Sequence, residues 1–442
     1  MPEIFNNKYW NSEVFGKYLE TVPRVKQNAF LKAGILRTRS DLKNMLVEQT
    51  GGNFITIPMT GRIGGEALNY DGDTDVTATG LDTFLQSMIV VGRMKAWEEK
   101  DFTFDITGKD FMEEIGRQVA DYWDDVDQST ILAVMDGIFG VSEDGFSERH
   151  TLDITGKASA GDRIVGPSTL NDAAQKAFGD NKNLITMAIM HSQVATTLEN
   201  LQLIEYRKQV DGEGIQKTVA IADWNGRTVM IDDDVPTTTS YTGAGVYTVT
   251  LAGSNASTGD KFTVAGTTYT VEEADTKTPT GVATSIATAL GSDATYSVSR
   301  NGAVLTLTEK SGKYGTGAPA VSTTSESTTI AVETTTAPEG VTNYTTYLLG
   351  QGAFDYCDCG AKVPNEVWRD PKTDGGLDML ITRQRHLYAP RGFSFVMPST
   401  PIISPTNAQL ATAARWSIVK DTAGTGFFDS KAIPFARIIS RG

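Results

Sequence analysis

The chain has 442 residues, room for two or three domains with buried cores, and its 40% apolar and 21% charged content is that of a globular protein rather than a disordered one. A formal charge of -15 repels phosphate over most of the surface, so sequence-specific nucleic-acid binding is not expected. The N-terminus has no basic cluster followed by an apolar run, and no stretch approaches the ~18 apolar residues of a membrane helix, so the expectation is a product made and kept in a cytosol.

Residues 1–50 carry short helical patterns, Ser12–Glu20 and Ser40–Glu48, without a dominant apolar stripe, as expected of an arm lying on a neighbour. Residues 51–95 read as a long hairpin. Alternation in Phe54, Ile55, Ile57 and Met59, and again from Phe84 to Val91, predicts two strands, and the Gly- and Asp-rich stretch between them has little to bury in its own subunit. No lysine occurs between Gly51 and Met94. Region 96–167 holds the clearest element, a helix over 110–139. Asp110 and Glu113 form a capping-box pattern, and Met112, Ile115, Val119, Tyr122, Trp123, Val126, Leu132, Met135 and Ile138 recur at helical spacing. Glu114, Arg117, Asp121, Asp124 and Asp125 lie on the other face, a solvated or inter-subunit one.

Over 168–236 the pattern gives a helix Leu170–Phe178 stopped by Gly179, an apolar strand Leu184–Met190, and a helix with Ser192 as N-cap running to Leu201. Asn225-Gly226 between strand-like runs is a hairpin signal. From about Thr237 to Thr345 more than a third of the residues are Thr or Ser and Trp is absent, although the flanks hold six Trp. The text on either side, "VMIDDDVP" and "YLLGQGAF", reads as one segment interrupted, so 237–342 is expected to be a module inserted in a surface loop. Within it, strands at Tyr247, at Asp260 and around an Asn301-Gly302 turn, with a helix Pro279–Gly291, predict a small, mainly β, α+β domain. The host resumes over 343–425 as strands and loops with a short helix Asn407–Arg415, and 426–442 ends in a strand Ile433–Ser440. The fold class expected for the whole is α+β.

Residues that could carry chemistry are few. Asp71, Asp73 and Asp75, with Asp82 at the twelfth position, match part of a calcium loop, but Val76 stands where the turn requires Gly. The plainer reading is an acidic loop tip facing a basic neighbour, for which Arg383, Arg385 and Arg391 are the candidates; all six residues are therefore expected at inter-subunit contacts. Asp232, Asp233 and Asp234 read as a solvated strand end before Pro236. Cys357 and Cys359 form a CxC without further soft ligands nearby, so they read as half-buried residues on one strand face. The three histidines, His150, His191 and His386, are scattered, and no nucleophile elbow, HExxH, P-loop or dinucleotide fingerprint is present. No catalytic residue, cofactor or resident metal is expected.

The runs "KAWEEKDFTFDITGKDFMEEIGRQVADYWDDVDQSTILAVMDGIFG", "NLITMAIMHSQVATTLENLQLI", "TRQRHLYAPRGFSF" and "SPTNAQLATAARWSIV", with the interrupted junction, resemble in order and spacing the tailed-phage major capsid proteins of the Hong Kong 97 phage-type fold. That resemblance covers nearly all of the chain outside the insert. It implies an N-terminal arm (1–50), an extended loop (51–95), a peripheral domain with a spine helix (96–167) and an axial domain in two parts (168–236 and 343–425), with the insert rooted in the axial domain. It implies homo-oligomerisation as pentamers and hexamers, a separate scaffolding protein, a portal protein at one vertex and a decoration protein as a further partner. It also implies assembly in the bacterial host cytoplasm and residence in the virion. The lysine-free loop argues against the isopeptide cross-link that some members form. Two other readings stay open: a glycan-binding or decoration-docking role for the insert, and a tail-tube subunit.

Overall fold

A computed structural model describes residues 34–48, 53–61, 67–71, 75, 83–102, 111–210, 216–273, 275–421 and 426–442. The expected helix at Ser12–Glu20, the N-cap Asp110, and Asp73 and Asp82 lie outside these residues. The described elements mix helices and strands, as the α+β expectation holds. The chain divides into a unit comprising residues up to Pro236 with Thr345–Ser440, and a second unit Thr237–Tyr344.

In the first unit, one sheet has the order Leu36–Thr38, Phe354–Asp358, Leu377–Pro390, Thr83–Lys100, Phe54–Thr60, with Asn365–Asp370 pairing the far half of Leu377–Pro390. The Thr83–Lys100 strand runs well past the apolar stretch that predicted it, because eleven register pairs, Leu377↔Lys100 to Leu387↔Val90, hold its charged end against a long partner. The two strands of the hairpin bury core in their own subunit: Ile55, Ile57, Phe84 and Met88 are all buried. Gln86 holds them down, its Nε2 donating to the carbonyls of Pro390 (2.7 Å) and Phe393 (2.8 Å).

A second sheet in this unit runs through Thr151–Asp153, Phe435–Ser440, the strand ending at Gly350, Ile185–Met190, Arg227–Ile231, Gln216–Trp224 and Ile204–Val210. The Trp224–Arg227 hairpin forms as its sequence predicts, with Asn225 and Gly226 at φ 51° and 76°, the left-handed pair of a tight two-residue turn. The closing strand begins at Phe435, two residues after its expected start, and Asn407–Arg415 splits into a helical turn Asn407–Leu410 and a 3-10 turn Ala413–Arg415.

The long helix spans Phe111–Phe139, 29 residues, or about 43 Å at about 1.5 Å per residue. Ile131, Leu132, Val134, Met135, Ile138 and Phe139 bury its C-terminal half in the main core. Polar positions are buried there too: Asp127, Gln128 and Thr130 are at most 9% exposed. Near its middle, Trp123 donates from Nε1 to Thr382 Oγ1 at 3.1 Å. The helix Ser192–Asn200 is capped not by Ser192 but by His191, whose Nδ1 accepts from the Gln193 amide.

The second unit has a four-stranded sheet, Tyr296–Asn301, Val304–Glu309, Val246–Gly253, Thr328–Thr336, and a three-stranded one, Thr267–Thr270, Lys261–Val264, Val321–Thr323. Thr278 caps the helix Pro279–Ala289 by accepting from the Gly281 amide. Val282 and Ile286 of this helix join Tyr247, Val249, Phe262, Leu305 and Leu307 in a core of its own. The loop expected at Asn301-Gly302 is one residue later: Asn301 pairs with Val304, leaving Gly302 (φ 63°) and Ala303 in the turn.

Candidate assembly surfaces

Of the six residues singled out as contact candidates, Asp73 lies outside the described residues, and the other five sit on or near the first sheet and its hairpin. Asp71 and Asp75 are exposed, and Asp71 accepts from Asn69 Nδ2 at 3.3 Å. Among the described residues, no group of three or more His, Cys, Asp or Glu is placed to hold a metal ion. Arg383 binds Glu366 at 3.1 Å and donates to the Val363 carbonyl. Arg385 donates to Asn53 Oδ1 at 2.5 Å, and Arg391 is exposed with its backbone amide on the Ala353 carbonyl.

The acidic run at the strand end departs from expectation. Asp233 and Asp234 are exposed, but Asp232 is only 1% exposed. Its carboxylate receives Gln128 Nε2 from the long helix and the Asp234 amide at 2.9 Å, while Asp233 takes the Ser192 amide at 3.0 Å. The run ties three elements together, a role that spacing alone does not reveal because Asp232 looks like its neighbours.

A cavity of about 620 Å³ that the sequence did not suggest opens between the long helix and the first sheet, walled by Trp123, Asp127, Tyr356, Asp358 and His386. His386 Nδ1 lies 3.0 Å from Asp127 Oδ1 and 3.2 Å from the Tyr388 hydroxyl. Burial, reinforced by the Asp127 charge, pushes both Tyr356 and Tyr388 upward, so the phenols stay protonated. Burial also raises both thiols, Cys359 to about 12. Cys357 is buried on its strand, whereas Cys359 falls one residue past the strand end at Asp358. Neither thiol nor phenol there is activated for nucleophilic attack. His150, stacked on Phe146 at 4.3 Å with Nδ1 2.7 Å from the Phe435 carbonyl, is pushed down to about 4 by burial and is a core residue.

What the unit does offer is exposed apolar surface. Met94 (79%), Val367 (66%) and Trp368 (48%) lie on the first sheet, Leu68 (47%) and Tyr70 (102%) on the hairpin loop, and Ile403 (78%) beside the hairpin base. Apolar side chains on projecting strands and loops are what partners cover.

No family model matches the chain. It is similar to the major capsid protein of Bacillus phage SPP1, with 27% identity over 256 residues, 58% of this chain and 72% of that protein. Among solved structures it is similar to the capsid of Ralstonia phage GP4, at 8% identity, covering 100% of this chain and 98% of that one with a TM-score of 0.46. It is also similar to the capsid of cyanophage Pam1, at 10% identity over 100% of both chains with a TM-score of 0.44. The SPP1 match bears out the resemblance to phage major capsid proteins first drawn from the order of the sequence runs.

Proposed function

We propose that this chain is the major capsid protein of a tailed bacteriophage, of the Hong Kong 97 phage-type fold, and that identical copies assemble as pentamers and hexamers into an icosahedral shell around packaged double-stranded DNA. The observation that carries the reading is the similarity to the SPP1 capsid protein over 72% of that protein's length. A 29-residue helix half buried in the core and a hairpin presenting Tyr70 fully to solvent support it, since both suit a tile whose remaining surface is covered by sister copies.

The unit Thr237–Tyr344 is an accessory domain on the outer surface, because a domain facing inward would compete with DNA for space. A separate scaffolding protein and a portal protein serve assembly in the host cytoplasm, and a decoration protein has the outer domain to dock on. The -15 charge suits an inner wall that holds DNA without adhering to it. Because residues 51–94 contain no lysine, the shell is held without isopeptide links from that loop, by buried area and charge pairing. Electron microscopy of the purified, assembled protein tests the reading: closed spheres support it, whereas tubes would assign the chain to a tail.

A further inference from the structure

The four-stranded sheet of the unit Thr237–Tyr344 has two open edges, and they differ. Tyr296–Asn301 carries Arg300 opposite the buried Leu305, so a charge stands on its inward row, where it donates to the Gly302 carbonyl at 3.0 Å. An inward charge blunts a strand edge against further pairing. Thr328–Thr336 has nine residues, TTIAVETTT, with Glu333 its one charge and no Lys, Arg or Pro before Pro338. The helix Pro279–Ala289 packs on the other three strands of the sheet, and Ile330 and Val332 stay half-buried against the core. The apolar layer is unfinished on this side. The edge strands of the three-stranded sheet, at four and three residues, are too short to offer a comparable edge.

Two hydrogen bonds fix which backbone groups face the open edge. In the neighbouring strand Val246–Gly253 the Leu251 amide donates to the Ala303 carbonyl at 3.0 Å, away from Thr328–Thr336, and just beyond that strand the Ser254 amide donates to the Ser327 carbonyl at 2.9 Å, toward it. Alternation then turns Thr248, Thr250 and Ala252 toward Thr328–Thr336, where they meet Glu333, Ala331 and Thr329. The amides and carbonyls of Ile330, Val332 and Thr334 point the opposite way, and among the described residues no strand pairs with them there.

Resting on the reading that identical copies assemble, we infer that Thr328–Thr336 of one copy pairs antiparallel with Thr328–Thr336 of a second copy, about a two-fold axis at Val332. In that register Val332 meets Val332 and Ile330 meets Thr334, so each outward amide faces an outward carbonyl. The side chains of Ile330 and Val332 then close the apolar layers of the two sheets against each other. On the opposite face Glu333 lies across from Ala331 rather than from the second Glu333, so like charges are not set directly opposite. The contact is isologous: it uses the same strand of each copy and stops at two. Short as the strand is, assembly holds the two edges at a high effective concentration.

Hydrogen exchange on particles assembled from the full chain reads this edge directly. The Ile330, Val332 and Thr334 amides should exchange at least about tenfold more slowly in particles than in the unassembled chain, while those of Ala331 and Glu333, already bonded inward, should change little. Val332→Cys particles on a gel without reductant should give covalent dimers and nothing larger, since Cα atoms of such a pair lie about 5.5 Å apart, within reach of a disulfide. Ala331→Cys should give dimers only when co-assembled with Glu333→Cys, and the unaltered chain, with Cys357 and Cys359, should stay monomeric. Sound particles in which the three outward amides are not slowed, or in which Val332→Cys stays monomeric, would overturn the inference and leave the capsid reading intact. Slowed amides without the dimer overturn it too, by giving the edge to a different strand. Should Val332→Cys not assemble, the mixture of Ala331→Cys and Glu333→Cys, both at exposed positions, decides in the same way. If the unaltered chain forms no particles with its assembly helper, the capsid reading itself fails.

Discussion

Gly137 sits inside the long helix, where replacing it with Ala should, on helix propensity alone, stabilise the protein by about 1 kcal/mol. The packing reverses that sign. A Cβ built there overlaps the Leu410 carbonyl and comes within 2.5 Å of Trp416 Nε1, and those two atoms form a 2.7 Å hydrogen bond. Neither neighbour can retreat: Leu410 is 1% and Trp416 5% exposed, and Trp416 is wedged edge-on against Phe395 at 5.7 Å. Overpacking of this kind costs about 2 kcal/mol, and losing the indole's acceptor costs about 1 kcal/mol more. Less the gain in propensity, Gly137→Ala should destabilise the first unit by about 2 kcal/mol, lowering its melting midpoint by roughly 2–4 °C for a unit of this size. Thermal unfolding of the unassembled chain followed by Trp fluorescence measures this, because all six Trp lie outside the insert. A midpoint equal to or above that of the parent would refute the close approach of the helix to the Leu410–Trp416 turn.

Three further outcomes are expected. His150 is neutral in the fold, pushed down by burial to about 4 from 6.5, so its contribution is complete above the unfolded value and is lost as pH falls from 6.5 toward 4. That amounts to about 3 kcal/mol, and urea unfolding at pH 7 and pH 4.5 should show the slope in the parent and not in His150→Phe. Glu309 is 2% exposed in the insert, and although burial raises it, the amides of Gly245, Gly315 and Gly317 and the Tyr247 hydroxyl outweigh burial and hold it below 4.5. Its contribution is therefore present above 4.5 and lost as pH falls through the lower folded value. Tyr-detected melting of the insert in the full chain should become acid-sensitive there, and Glu309→Gln should weaken the insert at neutral pH by about 1–3 kcal/mol while flattening that dependence. Finally, mature particles boiled in denaturing detergent should yield single chains, since the 51–94 loop has no lysine to cross-link; covalent multimers would contradict this.

The sequence by itself determined the long helix, because nine apolar residues at three- and four-residue spacing leave no other period, and the Asn225-Gly226 hairpin, because two left-handed positions in succession select those residues. It determined the alternating strands and the helix of the Thr-rich module for the same local reason. It also carried the resemblance to capsid proteins, which lives in the order of many individually weak runs. Tertiary structure alone decided what depends on a distant partner. Residues 95–100, four of them charged, are strand because a fourteen-residue neighbour holds them, and Asp232 is buried because Gln128 waits for it across 104 positions. His191 displaced Ser192 as cap, and Gly137 is a contact rather than a weak spot, since a turn from residue 410 onward closes on it. The cavity beside His386 joins residues 123, 127, 356 and 386, and no pattern read along the chain brings such positions together, because periodicity reports only the face a residue shares with its near neighbours.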